Sequence, residues 1–168
     1  MIRSVQKEDL QAIIDIYAPY VLETAISFEI EVPTLEAFQQ KMEDIIQYYP
    51  FYVVEEDGEI KGYAYAHMFY GRDAYYKSVE VSIYLKQNQK RNGYGRLLYE
   101  KLEESLKKQG IENLYVCIAY SEDEHDPYVN NDSLYFHQKM GYQQCGHFHR
   151  CGYKFDRYYD TIYMEKHI

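Results

Sequence analysis

Residues 78 to 110 limit what this chain can fold into more than any other stretch. They read Ser-Val-Glu-Val-Ser-Ile-Tyr-Leu, then Lys-Gln-Asn-Gln-Lys-Arg-Asn-Gly-Tyr-Gly-Arg, then Leu-Leu-Tyr-Glu-Lys-Leu-Glu-Glu-Ser-Leu-Lys-Lys-Gln-Gly. The first run alternates. Val79, Val81, Ile83 and Leu85 face one way, and Ser78, Glu80, Ser82 and Tyr84 the other, as in a half-buried strand. The last run puts Leu98, Leu102 and Leu106 on one helical stripe and closes at Gly110. A helix that starts on glycines presents free backbone N–H groups and its positive dipole end, which suits a phosphate. Residues 86 to 96 hold Lys86, Lys90, Arg91 and Arg96 and no acid, in a chain whose net charge is −9. A basic glycine loop in an acidic chain points to a small polyanion. The plainer reading is a tight strand-to-helix turn.

The acidic balance argues against nonspecific nucleic-acid binding and against anionic membrane surfaces. No apolar run approaches the roughly 20 residues of a membrane span. The first residues carry acids and no continuous apolar segment, so no signal peptide is expected. The three cysteines, Cys117, Cys145 and Cys151, follow no framework spacing. They are read as free thiols in a reducing cytosol. Many of the 22 tyrosines lie in strand-like runs, where a ring with a polar tip suits a pleated, half-buried surface.

A length of 168 residues fits one domain spanning residues 1–168. Ile2 to Val5 reads as a short strand. Leu10, Ile13, Ile14, Tyr17 and Val21 make a helical face, with a kink or early end predicted near Ala18 because of Pro19. Thr34 reads as the N-cap of a helix with Leu35, Phe38, Met42, Ile45, Ile46 and Tyr49 on one face, stopped by Pro50. Strands over 51–55 and 60–70 flank the hairpin signal Asp57-Gly58. A strand over 113–120, an acidic loop over 121–130, a short helix over 131–140 and strands near 142–151 and 158–165 complete the chain. The order β-α-α-β-β-β-α-β-α-β-β predicts an α/β fold, a mixed, partly parallel sheet flanked by helices.

This order and the Ser78–Gly110 unit resemble the GNAT superfamily of acyl-CoA-dependent N-acyltransferases, with Lys90-Arg91-Asn92-Gly93-Tyr94-Gly95 in the place of its glycine loop. Lys90 replaces the family's usual Gln or Arg. Over nearly the whole chain the sequence is most similar to the phosphinothricin N-acetyltransferase-like branch. The matching blocks are Thr24-Ala25-Ile26-Ser27-Phe28-Glu29 with Pro33-Thr34, Arg72-Asp73-Ala74-Tyr75, and Glu80-Val81-Ser82-Ile83-Tyr84. Further blocks are Asn131-Asp132-Ser133-Leu134 with His137, Gly141-Tyr142, and Gly152-Tyr153-Lys154-Phe155 with Asp160. Tyr158 stands where the branch often has Trp.

The resemblance implies a GNAT-like fold and roles for particular residues. Backbone N–H groups around Arg91, Asn92, Gly93, Tyr94, Gly95 and Arg96 would cradle the CoA pyrophosphate. The strand at Ile83, Tyr84 and Leu85 would align the pantetheine arm and polarise the thioester. Asn131 and Ser133 would contact the cofactor, Asn131 alternatively being only a helix cap. Glu80, a mid-strand carboxylate that needs a partner or a task, would take the proton of the attacking amine; its plain alternative is a cross-strand ion pair. His137 would protonate the departing thiolate or simply pack. Phe28, Glu29, Arg72, Tyr75 and Lys154 would line the acceptor pocket. Arg72 has the geometry to grip a carboxylate or phosphinate, or it is a solvated loop charge.

No metal is expected. Cys145, His147, His149 and Cys151 alternate along one strand face, but at about 3.3 Å per residue the cysteines would stand roughly 20 Å apart. Such a row cannot close a tetrahedral site without a sharp bend.

The expected activity is transfer of acetyl from acetyl-CoA to the α-amine of a small amino-acid-like compound, of the phosphinothricin or methionine sulfoximine type, in a homodimer. The alternatives are a polyamine, aminoglycoside or protein N-terminus as acceptor, or an acyl-CoA-binding regulatory domain without turnover.

Overall fold

The computed structural model describes residues 1–89 and 91–168. Its elements in chain order are β1 (Ile2–Ser4), α1 (Leu10–Leu22), α2 (Leu35–Ile46), β2 (Phe51–Glu56), β3 (Glu59–Met68) and β4 (Ser78–Leu85). They continue with α3 (Tyr94–Lys108), β5 (Asn113–Tyr120), α4 (Asp132–Lys139), β6 (Gln143–Lys154) and β7 (Arg157–His167). This is the predicted order. Short 3-10 turns at Lys7–Asp9 and Asp73–Tyr75 accompany them. Among the described residues no helix is long and apolar enough to cross a membrane.

The strands form one sheet in the order β1-β2-β3-β4-β5-β7-β6. Among the described residues only β4 and β5 run parallel; α3 is the crossover that a parallel pair requires. Alternation sorts the strand residues onto two faces. Val54, Ala64, Ala66, Val79, Val81 and Leu114 pack under the α3 stripe of Leu98, Leu102 and Leu106. Phe51, Val53, Tyr63 and Tyr65 pack under α1 and α2, against Ile13, Tyr17, Phe38 and Met42. The leucines of α3 are fully buried, and each such side chain contributes about 2 kcal/mol of burial.

Local signals hold where the chemistry is local. The Thr34 hydroxyl accepts the Ala37 N–H at 3.1 Å and starts α2. Asp57 and Gly58 both take positive φ, 53° and 75°, in the β2–β3 turn. Two expectations are corrected. Pro19 does not end α1, which runs through to Leu22. Pro19 sits in the last turn, and buried Tyr17 and Val21 on either side hold that turn in place. Leu35 and Ile46 of α2 are exposed, because the buried stripe of that helix is narrower than its apolar composition.

One departure from regular pairing prepares the site. β4 pairs with β5 only over Ser78–Glu80 against Asn113–Tyr115. Beyond that point the two strands separate. The gap is a cleft lined by Val81, Ser82, Ile83 and Tyr84 of β4, Val116 to Ala119 of β5, and Ser133 and His137 of α4.

Candidate active site

The glycine loop delivers a bare helix end beside this cleft. Arg91 and Gly93 take left-handed φ of 72° and 79°, and Gly93 is the N-cap of α3. No side chain caps that end, and its first turn carries no acid. The Leu97 N–H bonds the Gly93 carbonyl at 3.1 Å, so the amides before it have no intrahelical acceptor. Gly95 lets the helix start approach α4 closely: a Cβ there would meet the Phe136 ring at 3.1 Å, and the ring would have to shift. Side chains in the loop are largely committed elsewhere. Tyr94 is buried and its hydroxyl donates to Glu56. Asn92 Nδ2 donates to Gln89 at 3.1 Å, and exposed Arg96 pairs with Glu100 at 2.7 Å. What the loop leaves open to an anion is its backbone amides, with cationic charge nearby. Lys90 lies outside the described residues.

Asn131 is the N-cap residue of α4, its carbonyl accepting the Tyr135 N–H at 3.1 Å, but its side chain makes no capping hydrogen bond. Its Oδ1 is buried without a hydrogen-bond partner, a costly condition unless a donor arrives. An amide N–H of a pantetheine arm in the cleft would satisfy it, so the residues present fit CoA. Ser133 lines the cleft directly. Of the β4 edge, Ile83 and Tyr84 also line it. The Leu85 carbonyl accepts the Tyr20 hydroxyl at 2.5 Å, which fixes that end of the strand edge and leaves the carbonyl its second lone pair.

Glu80 lies mid-strand opposite His67 of β3 and Tyr115 of β5. Among the described residues, no Lys or Arg forms an ion pair with it; His67 Nε2 stands 3.9 Å away. Burial pushes the Glu80 carboxyl above its usual range, with the charge of Lys41 opposing. Burial also pushes the His67 imidazole down. Lys41 reaches in from α2 and donates to the Tyr65 hydroxyl at 2.9 Å. Glu80 is thus a half-buried carboxylate with raised proton affinity and no fixed counter-ion, which suits a general base. No local motif marks His67 or Lys41, because their approach depends on strand register and helix packing.

Of the two readings of His137, its surroundings favour packing. It is 1% exposed. Its Nδ1 donates to the Ser133 carbonyl at 2.7 Å, and its Nε2 accepts the Tyr99 hydroxyl at 2.8 Å. Burial pushes its pKa down to about 4. The ring is neutral, its single proton is taken, and it has none to give a thiolate. Its place is packing and orientation of α4.

Lys154 is corrected. The side chain is buried, and its ammonium donates to the carbonyls of Val21 at 2.6 Å, Ser27 at 2.9 Å and Glu29 at 2.8 Å. All three N–H donors are consumed, so it shapes the Phe28–Glu29 segment rather than touching an acceptor. The Phe28 ring lies against Gly152, where a Cβ would come within 2.5 Å of it. The charge of Glu29 acts on Tyr17 and Tyr84. Arg72 and Tyr75 share a separate surface hollow with Tyr70 and Gly71. Neighbouring Phe69 stacks on Tyr115 at 4.2 Å, which sets that loop on the Glu80 end of β4. The structure therefore does not gather the five acceptor candidates into one cluster.

Of Cys145, His147, His149 and Cys151, only the two histidines stand together, ring centroids 4.0 Å apart. The strand does bend there: the β6–β7 register slips between Phe148 and Gly152, and Arg150 takes φ 56°.

Known proteins share this architecture. Residues 2–163 match the family model of the acetyltransferase (GNAT) domain. Phosphinothricin N-acetyltransferase of Alcaligenes faecalis is 31% identical, over 98% of this chain and 81% of that protein. The L-methionine sulfoximine/L-methionine sulfone acetyltransferase of Salmonella typhimurium is 28% identical, over 98% of this chain and 92% of that protein. A GNAT-superfamily phosphinothricin acetyltransferase from Sinorhizobium meliloti, solved with acetyl-CoA, superposes with a TM-score of 0.88 at 28% identity, over 100% of this chain and 88% of that one. A splayed parallel strand pair, a bare glycine-started helix and this family match together establish that the chain belongs to the GNAT acetyltransferase family and is an acetyl-CoA-dependent N-acetyltransferase.

Proposed function

We propose that the chain acetylates the α-amine of a small amino-acid-like compound, of the phosphinothricin or methionine sulfoximine type, by direct attack in a ternary complex. The observation that carries the chemistry is Glu80, a half-buried carboxylate of raised pKa with, among the described residues, no Lys or Arg paired to it and the His67 imidazole 3.9 Å away. Relatives named for phosphinothricin and methionine sulfoximine support the acceptor class.

Acetyl-CoA supplies an activated acyl group at a thioester. Amides at the start of α3 would hold its pyrophosphate, and Asn131 and Ser133 its pantetheine arm. The β4 edge at Ile83 and Tyr84 would align the thioester. Glu80 would take the ammonium proton, directly or through one water, leaving a neutral amine to attack. The leaving group is an alkylthiolate, far less basic than an alkoxide or amide ion, so it can depart and be protonated by solvent without His137. Arg72 would meet the acceptor's acidic group. The reading includes a homodimer joined through the late strands, supported by exposed Phe148, Tyr153 and Tyr158, and a reducing cytosol, supported by three free cysteines.

The test is CoA-thiol release from acetyl-CoA against phosphinothricin, methionine sulfoximine and sulfone, common amino acids, spermidine, an aminoglycoside and an N-terminal peptide. Turnover concentrated on the first three is expected. Turnover confined to another amine would overturn the acceptor assignment while keeping the chemistry.

A further inference from the structure

We propose that His147, His149 and Asp160 form a surface site for a divalent transition-metal ion of the zinc class, apart from the acyl cleft. The site is built by the distortion of β6. In a regular strand, residues two apart stand roughly 6.6 Å from each other on one face. Here the slipped register between Phe148 and Gly152 and the left-handed Arg150 draw the rings of His147 and His149 into a stack, 4.0 Å between centroids and 16° between planes.

Asp160 of β7 faces this pair. Its Oδ1 accepts the Arg150 N–H at 2.7 Å, and its Oδ2 lies 2.7 Å from His147 Nε2. One donor atom from each of the three residues lies within 4.8 Å of the others. The hydrogen bond explains His147 and Asp160. It does not explain an exposed second imidazole held face to face with the first.

Two imidazole nitrogens and one carboxylate oxygen are the donor set of zinc and the late first-row divalent ions. Calcium and magnesium prefer oxygen throughout. Bonds of about 2.0–2.2 Å to such an ion put tetrahedral ligands about 3.3–3.6 Å apart, so the 2.7 Å pair of His147 and Asp160 opens by roughly 0.6–0.9 Å and the His149 donor, within 4.8 Å of both, closes by a side-chain rotation. The remaining position opens to water, because His149 is exposed and the other two are half-buried. The Arg150 guanidinium is kept off the site, 4.2 Å over the Tyr158 ring. The neighbouring thiols point elsewhere, Cys145 to the Tyr163 carbonyl and Cys151 to Thr161 Oγ1.

The test uses the untagged full chain, titrated with Zn²⁺ by calorimetry and with Co²⁺ by visible absorption. One equivalent should bind with a dissociation constant near or below about 1 μM. The Co²⁺ spectrum should show no thiolate charge-transfer band. His149→Ala, at an exposed position, and Asp160→Asn, which keeps an acceptor for Arg150, should each weaken Zn²⁺ at least ~10-fold. A chain with Cys117, Cys145 and Cys151 all changed to Ser should bind unchanged. Affinity insensitive to His149→Ala and Asp160→Asn, loss of binding in the cysteine variant, or binding only in the millimolar range would each overturn the site.

Discussion

The ammonium of Lys154, near the end of β6, donates to the carbonyl of Glu29 at 2.8 Å across a sequence separation of 125 residues. With its bonds to Val21 and Ser27 it ties the end of α1 and the Phe28–Glu29 segment to the late hairpin. Lys154→Met keeps the aliphatic bulk and strands three carbonyls. An unpaired buried polar group costs about 1–3 kcal/mol, and relaxation shares the loss, so about 2–4 kcal/mol is expected. A thermal melt should fall by roughly 5–15 °C. The amine KM should rise more than the acetyl-CoA KM. An unchanged melt would show that the three bonds contribute nothing.

Glu80→Gln should lower kcat by about 10²–10⁴-fold, the usual worth of a general base, with acetyl-CoA affinity intact in a binding titration. A lost acetyl-CoA site would mean that Glu80 is structural. The pH profile of kcat/KM should rise through a carboxylate whose pKa lies above the ordinary range. Lys41 lowers that pKa, so Lys41→Met should move the acid limb to higher pH. The raised pKa also means that ionised Glu80 weakens the fold. This group's stabilising contribution is present below its unfolded pKa and lost as pH rises through the folded one. Glu80→Gln should therefore melt higher than the parent at pH 7, and the gap should close below about pH 4.

His137 has its pKa depressed to about 4. A depressed histidine stabilises the fold above its unfolded pKa, and this is lost as the pH falls. The loss should run from about pH 6.5 down to about pH 4, because the unfolded chain binds the proton first. Its size should be about 3 kcal/mol, from roughly 2.5 units of difference. Acid melts of the parent and of His137→Gln compared over that window test it. His137→Gln should cost stability yet keep kcat within about 10-fold, well short of the usual loss for a general acid. A greater loss of kcat in the still-folded variant would restore a catalytic role.

Asn131 yields opposite effects on stability and binding. Its buried Oδ1 has no partner, so Asn131→Ala should leave the melting temperature of the free protein unchanged or raise it. The same change should weaken acetyl-CoA about 3–10-fold, the worth of one hydrogen bond. Destabilisation without loss of acetyl-CoA affinity would assign Asn131 to the fold alone.

The sheet strands, the Thr34 cap, the Asp57-Gly58 turn and the leucine stripe of α3 were legible because each rests on residues close in sequence. Glu80 stood out for the same reason, as a lone acid on an alternating strand. The places of Lys154 and His137 are not legible there because their partners, the carbonyls of Val21, Ser27 and Glu29 for one and the Tyr99 hydroxyl for the other, lie far away in the chain. Motif spacing shows that a charged or titratable group is present, but not that its donors are already used.

The sequence by itself determined the order of elements, the basic glycine loop that opens a helix, and the family, since periodicity, turn chemistry and motif spacing are local and additive. Only the tertiary structure decided where β4 leaves β5, that His67 and Lys41 stand around Glu80, that Asn131 holds an unsatisfied oxygen, and that His147, His149 and Asp160 meet. Those relations depend on strand register, a bulge and helix packing, which form when distant residues are buried against one another, and no short stretch of chain encodes them.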